Sequence, residues 1–191
     1  MKCLLGIFFI LGCMTNAYAE VCEYSVPETK VLIYRKGEYL PVYFSRFQLD
    51  LPGVPSAFLA GDGFTAAYPE RGYVGIQHLA PSMMGDSLSN LAPDLTSVSD
   101  YYRLIYRLPS HLAGMASHKA LSLQRQLLNL DCKTDVVIFQ INDIQVVFDG
   151  ARDATGFHKI MLLDGGDVQL ITMRGSREAA IRLMSSIKRR L

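Results

Sequence analysis

The chain has 191 residues, 19 of them Lys or Arg and 18 Asp or Glu, and half are hydrophobic. That length suffices for one domain with a real core. The balanced charge argues against a nucleic-acid ligand, because phosphate binding wants a basic face.

At the N-terminus Lys2 supplies a positive charge, Leu4 to Leu11 an apolar run, and Ala17-Tyr18-Ala19 a small-x-small cleavage site. Residues 1–19 are therefore expected to be a signal peptide and 20–191 a single α+β domain. The mature protein would begin at Glu20 and be periplasmic or secreted. A competing reading takes Ile10-Leu11-Gly12 as a lipoprotein box that leaves a lipid on Cys13 and an outer-membrane anchor. Ile10 and Leu11 suit such a box poorly. Loss of Lys2 with the leader leaves 18 basic residues facing 18 acidic ones. No later run approaches the roughly 18 apolar residues of a spanning helix, so no stable membrane insertion is expected after cleavage.

Of the four cysteines, Cys22 and Cys132 outlast the leader. An even pair in an exported chain predicts a disulfide. Closing a loop of about 110 residues would stabilise the fold by up to roughly 4–5 kcal/mol on the chain-entropy model. The plainer alternative is two unrelated buried thiols. No further Cys or His stands at ligand spacing from either, so no metal and no cofactor are expected.

Val31 to Tyr34 and Tyr39 to Phe44 read as a hairpin around Lys36-Gly37, and Phe47 to Leu51 alternates as a further strand. Pro52, Gly53 and Pro55 stop it. Ala57 to Ala60, Phe64 to Tyr68 and Tyr73 to Leu79 form a meander with turns at Gly61-Asp62-Gly63 and Pro69 to Gly72. Ala80 to Ser97 carries Pro81, Gly85, Pro93 and four serines without periodicity. Loops of that length are functional or disordered more often than plain connections. Met83, Met84 and Leu88 give it apolar points that dock on a partner or fold back on the domain.

Ser97-Val98-Ser99-Asp100 opens a helix with a capping-box-like start; Tyr101, Leu104, Ile105 and Leu108 share its inner face and Pro109 ends it. A second helix from about Ala116 aligns Ala120, Leu123, Leu127 and Leu130. Two hairpins follow: Val136 to Ile141 with Ile144 to Phe148 across Asn142-Asp143, and Phe157 to Leu163 with Val168 to Met173 across Asp164 to Asp167. Ser176 then opens a closing helix with Ala180, Leu183, Met184, Ile187 and Leu191 on one stripe and Ser185 outside it. Lys188-Arg189-Arg190 would complement its C-terminal dipole.

Runs of strands and runs of helices, without alternation, indicate α+β. The expected architecture is an antiparallel sheet of two meanders, with mid-chain helices and a C-terminal helix packed on its one apolar face. A strand ending in Pro (Phe47 to Pro52), a second hairpin, mid-chain helices and a Val168 to Met173 strand before Ala179 to Ile187 resemble the PsbP/Mog1/DcrB-like sandwich. The resemblance covers about 140 residues and rests on element order. It implies a binding or accessory protein, such as a periplasmic immunity protein, and brings no catalytic residues with it.

The search for chemistry is brief. His111 and His118 are seven apart, which fits no helical zinc pair. His78 and His158 lie in strands among apolar neighbours, where a structural role is the plainer reading. There is no Gly-x-Ser-x-Gly elbow. Gly61 to Ala66 matches a dinucleotide fingerprint in letters only, since it sits between strands and opens no helix. On the first mid-chain helix, Tyr102 and Tyr106 face away from Leu104 and Leu108, with Arg103 beside them. Tyr and Arg are enriched at binding hot spots.

The leading expectation is thus an exported, non-enzymatic protein that binds another protein, an immunity, inhibitor or accessory protein, through Tyr102, Arg103, Tyr106, Met83 and Met84. The rivals are a small envelope hydrolase built on His111, His118 and Asp94, and a lipid-anchored structural protein that depends on Cys13.

Overall fold

In a computed structural model, residues 27, 29–33, 40–61, 63–69, 72–128, 130, 136–150 and 156–190 are described. The expected meanders merge into one sheet of eight strands. Strands β4 (Ala57–Ala60), β5 (Gly63–Ala67) and β6 (Tyr73–Leu79) form the first. Strands β7 (Val136–Ile141), β8 (Ile144–Gly150), β9 (Phe157–Asp164) and β10 (Asp167–Arg174) form the second. They join where β10 pairs antiparallel with β6, Ile171 opposite Ile76. The turns are those the residue types indicated. Asn142 stands at φ 53° between β7 and β8, and Gly165 at φ 57° between β9 and β10.

The first hairpin is not where the alternation put it. Strand β1 (Thr29–Val31) does not return on β2 (Pro41–Phe44); it runs parallel to β7, with Thr29 opposite Ile138. The large sheet is therefore mixed. Its order is β1-β7-β8-β9-β10-β6-β5-β4. Strand β2 pairs with β3 (Phe47–Asp50) in a separate three-stranded sheet that is completed by β11 (Lys188–Arg189). Local alternation marks a strand but not its partner, and Ser45 at φ 48° makes the tighter β2–β3 turn available instead.

The sheet has two apolar faces rather than one. Runs such as Val146-Val147-Phe148 and Ile160 to Leu163 are buried throughout, as expected for strands covered on both sides. One core gathers Val147, Met161, Leu163 and Val168 under α1 (Ser87–Leu91), α2 (Val98–Ile105) and α3 (His118–Leu127). The other gathers Val146, Phe148, Ile160, Leu162 and Ile171 under β2, β3 and α4 (Arg177–Ser185). The mid-chain helices and the closing helix thus lie on opposite faces.

One open expectation is decided and three others are corrected. The Ala80–Ser97 stretch folds back through a 3-10 turn (Pro81–Met83) and α1, burying Leu88, Leu91, Ala92 and Leu95. The closing helix stops at Ser185, one turn early, because Ser186 at its cap turns away to hold Asp50: the Asp50 N–H donates to Ser186 Oγ at 2.9 Å. Ser185 itself is buried, its hydroxyl donating to Arg182 O at 2.7 Å. Lys188-Arg189-Arg190 is consequently no helix terminus. Arg189 grips Asp164 with two bonds of 2.6 and 3.0 Å and also pairs with Asp143, and Arg190 lies over the Tyr43 ring. Arg46 adds a 2.8 Å contact to Asp164, so the small sheet is pinned to the β7–β8 and β9–β10 turns of the large one.

Residues 1–19, Cys13, Cys22 and Cys132 lie outside the described residues. The strands that follow the last two bear on the disulfide all the same. Thr29 comes seven residues after Cys22 and Val136 four after Cys132. Because β1 and β7 are parallel, Thr29 and Val136 lie at the same end of the sheet. Non-reducing peptide mapping of the protein, purified without reductant, is expected to recover the Cys22 and Cys132 peptides linked. Free thiols on both would refute the pairing.

Candidate functional site

Most of the expected binding residues are spent on the protein itself. Tyr106 is only 3% exposed, not solvent-facing as the helical phase suggested. It caps α2, and Tyr102 stacks on it at 6.3 Å while meeting Tyr101 edge-on at 5.2 Å. Tyr102 is half-buried against the helix-side core, as is Met84. Burial raises the Tyr102 pKa, and burial with the neighbouring Tyr102 pushes Tyr101 up to about 12. The Tyr101 hydroxyl donates to Gln124 Oε1 of α3 at 3.1 Å. Arg103 donates to Gln145 Oε1 of β8 at 2.7 Å. This cluster fastens α2 to α3 and to the sheet. Of the five residues, Met83 alone is exposed, at 53%.

The histidines are likewise dispersed. His111, His118 and Asp94 are exposed on separate segments. His78 Nδ1 accepts from Gln169 Nε2 at 2.7 Å across the β6–β10 ladder. Buried His158 donates from Nε2 to Gly175 O and stacks on Phe148. Among the described residues, no three His, Cys, Asp or Glu side chains could hold a metal ion.

Among the described residues, an open recess lies elsewhere. Helices α1–α3 pack over β7–β10 and meet β6 at Leu79, while Leu59, Gly63 and Gln77 on β4, β5 and β6 stay exposed. There the sheet floor is made of glycine. A Cβ on Gly63 would stand 2.5 Å from Ile76 O, and one on Gly75 would stand 2.8 Å from Thr172 Oγ1. Only glycine fits at Gly63, and at Gly75 its absence of side chain keeps the floor low. Leu59 and Leu170 wall the recess, and Thr65, Thr172 and Gln77 supply neutral polar groups. The hollow measures about 380 Å³, and among the described residues no charged side chain lines it.

Beside it, the outermost strand β4 is exposed at all four positions. Phe58 is 48% and Leu59 69% exposed, with Val54 at 80% just before them. The sequence carried a signal for this site. Gly75 sits inside a strand, which marks close backbone approach, and Ala57 to Ala60 has no charge of the kind that usually guards an edge.

No protein-family model and no curated protein matches the chain. Among solved structures, a crystallised protein from Bacteroides thetaiotaomicron is similar at 12% identity with a TM-score of 0.37. The match covers 76% of this chain and 46% of that one, so the chain spans less than half of that protein's length.

Proposed function

We propose that the chain is an exported, non-enzymatic protein-binding protein of the neutralising or accessory kind, the class its PsbP/Mog1/DcrB-like resemblance implies. Its binding surface in this reading is the uncovered end of the large sheet. The observation that carries it is the glycine-floored recess between Leu59 and Leu170, left open where the helices stop. A floor without side chains lets a partner's main chain come close. The neutral lining that the described residues supply favours an extended, uncharged segment, because a buried unpaired charge would be costly against it. The hydrolase alternative rests on His111, His118 and Asp94, which are exposed and share no hydrogen bond or ion pair with one another.

Affinity capture of the mature protein from its own envelope identifies the partner, and titration of variants then maps the surface. Thr65→Arg places a long cation in the recess and is expected to weaken binding about tenfold or more, roughly 1.4 kcal/mol or above. Tyr102→Ala serves as the comparison: it should lower the melting temperature, through lost stacking on Tyr106, more than it lowers affinity. Undiminished binding by folded Thr65→Arg would remove the recess from consideration.

A further inference from the structure

We infer that two copies of this chain pair through β4, antiparallel and across a two-fold axis at Leu59, to make one continuous sheet. The inference stands whether or not the recess binds a partner protein.

It begins with the edges. An exposed edge strand invites pairing, and proteins guard against it with lysine, proline or charge. Strand β1 carries Lys30, β2 begins at Pro41, and β11 consists of Lys188 and Arg189. Among the described edge strands, β4 alone has no such device. It reads Ala-Phe-Leu-Ala and is exposed throughout. The guarded β1 at the far end of the sheet disfavours head-to-tail joining, which would give open fibres. Pairing of β4 with its own copy closes.

The hydrogen-bonding groups select the copy and its register. Gly61 N–H turns inward to Gly63 O at 3.0 Å, so by two-residue alternation Leu59 also faces β5. Ser56 N–H turns inward too, to Ala67 O at 2.8 Å. The outward amides and carbonyls are then those of Phe58 and Ala60. With the axis at Leu59, Phe58 of one copy opposes Ala60 of the other, twice over, and every outward donor and acceptor finds a mate. Moving the axis to Phe58 would set Ala60 against Ser56, whose N–H is already used. Side chains agree with this register. Each Phe58 ring meets a small Ala60 across the joint. The two Leu59 side chains meet on the opposite face, where each closes the outer wall of both recesses. A two-fold axis perpendicular to the sheet keeps both recesses on one face.

The joint is short, so association should be weak and concentration-dependent. Sedimentation of the mature protein is expected to show the dimer mass by about 100 µM and monomer on dilution to about 1 µM. Leu59→Lys sets like charges directly opposite one another and should abolish the dimer. Its melting temperature should hold, since Leu59 is 69% exposed. Leu59→Cys tests the register directly, because Cα atoms about 4.5 Å apart in such a pair permit a disulfide. Oxidation should give a reducible species of twice the chain mass, and Leu123→Cys, exposed on α3, should not. A wild-type monomer at every concentration would overturn the pairing. So would a dimer indifferent to Leu59→Lys, or cross-linking of Leu59→Cys no faster than that of Leu123→Cys.

Discussion

Ile187→Asp is expected to leave the protein largely unfolded. Ile187 has no exposed surface and lies in the core beneath α4 with Leu183, Met184, Phe47 and Leu49. Its N–H donates to Met184 O at 3.0 Å, which fixes the backbone just past the helix end. An aspartate there must either stay ionised without a partner or take up a proton in an apolar surround. Both routes cost several kcal/mol, a large part of an ordinary domain's roughly 5–15 kcal/mol. Arg182→Ala is the proper comparison. Arg182 is exposed and pairs with Glu178 at 3.1 Å, a contact of the i,i+4 kind worth no more than about 0.5 kcal/mol. Thermal melting of the two variants side by side decides it. Equal melting temperatures would mean that the α4 end does not seal the core.

Ser185 does not serve as the neutral partner in that comparison, although the helical wheel placed it outside. The wheel assumed a helix running on to Leu191. The chain instead bends at Ser186, and Lys188–Arg189 joins β3 as a strand. A period of 3.6 read forward from Ala180 is right for Leu183 and Met184 and then stops applying. What ends the helix is Ser186 bonding Asp50, a residue 136 positions away, which no local pattern contains.

The same division runs through the fold. Hairpins joined by Asn142-Asp143 and Gly165-Gly166 were legible because turn chemistry is local. So were the N-caps Ser97 and Ser176, each accepting from the N–H three residues on; Ser117 does the same at the start of α3. The parallel seat of β1 on β7 was not legible, since it joins residues more than a hundred apart. Nor was the second apolar face, although Val146-Val147-Phe148 spelled it out. An unbroken apolar run fits one strand between two layers better than a strand with one wet side. The binding surface was misread for a related reason. The helical wheel turns Tyr102 and Tyr106 outward because they oppose Leu104, yet in the fold Tyr106 joins the helix-side core and Tyr102 packs against it.

Arg125→Met is expected to cost roughly 2–4 kcal/mol, more than the loss of either leucine near it. The apolar spacing suggested that α3 buries Leu123 and Leu127. In the structure these are 54% and 70% exposed, and the helix turns Leu121 and Arg125 inward instead. A buried arginine overrides the leucine pattern because of what it meets. Helix α2 ends at Ile105 with carbonyls that have no partner inside the helix. Arg125 Nη2 donates to Leu104 O and Nε to Ile105 O, each at 2.8 Å. Its cation also sits at the negative end of the α2 dipole. Methionine keeps the stem's packing and deletes the donors, so Ile105 O loses the Arg125 bond and Leu104 O keeps the longer one from the Arg107 N–H at 3.3 Å. Lysine, with one compact ammonium in place of the fork, should recover part of the loss. Leu123→Ala and Leu127→Ala should melt within a few degrees of the parent. If Leu123→Ala proved as damaging as Arg125→Met, α3 would be rotated from the phase described, and the leucine pattern would have been the better guide.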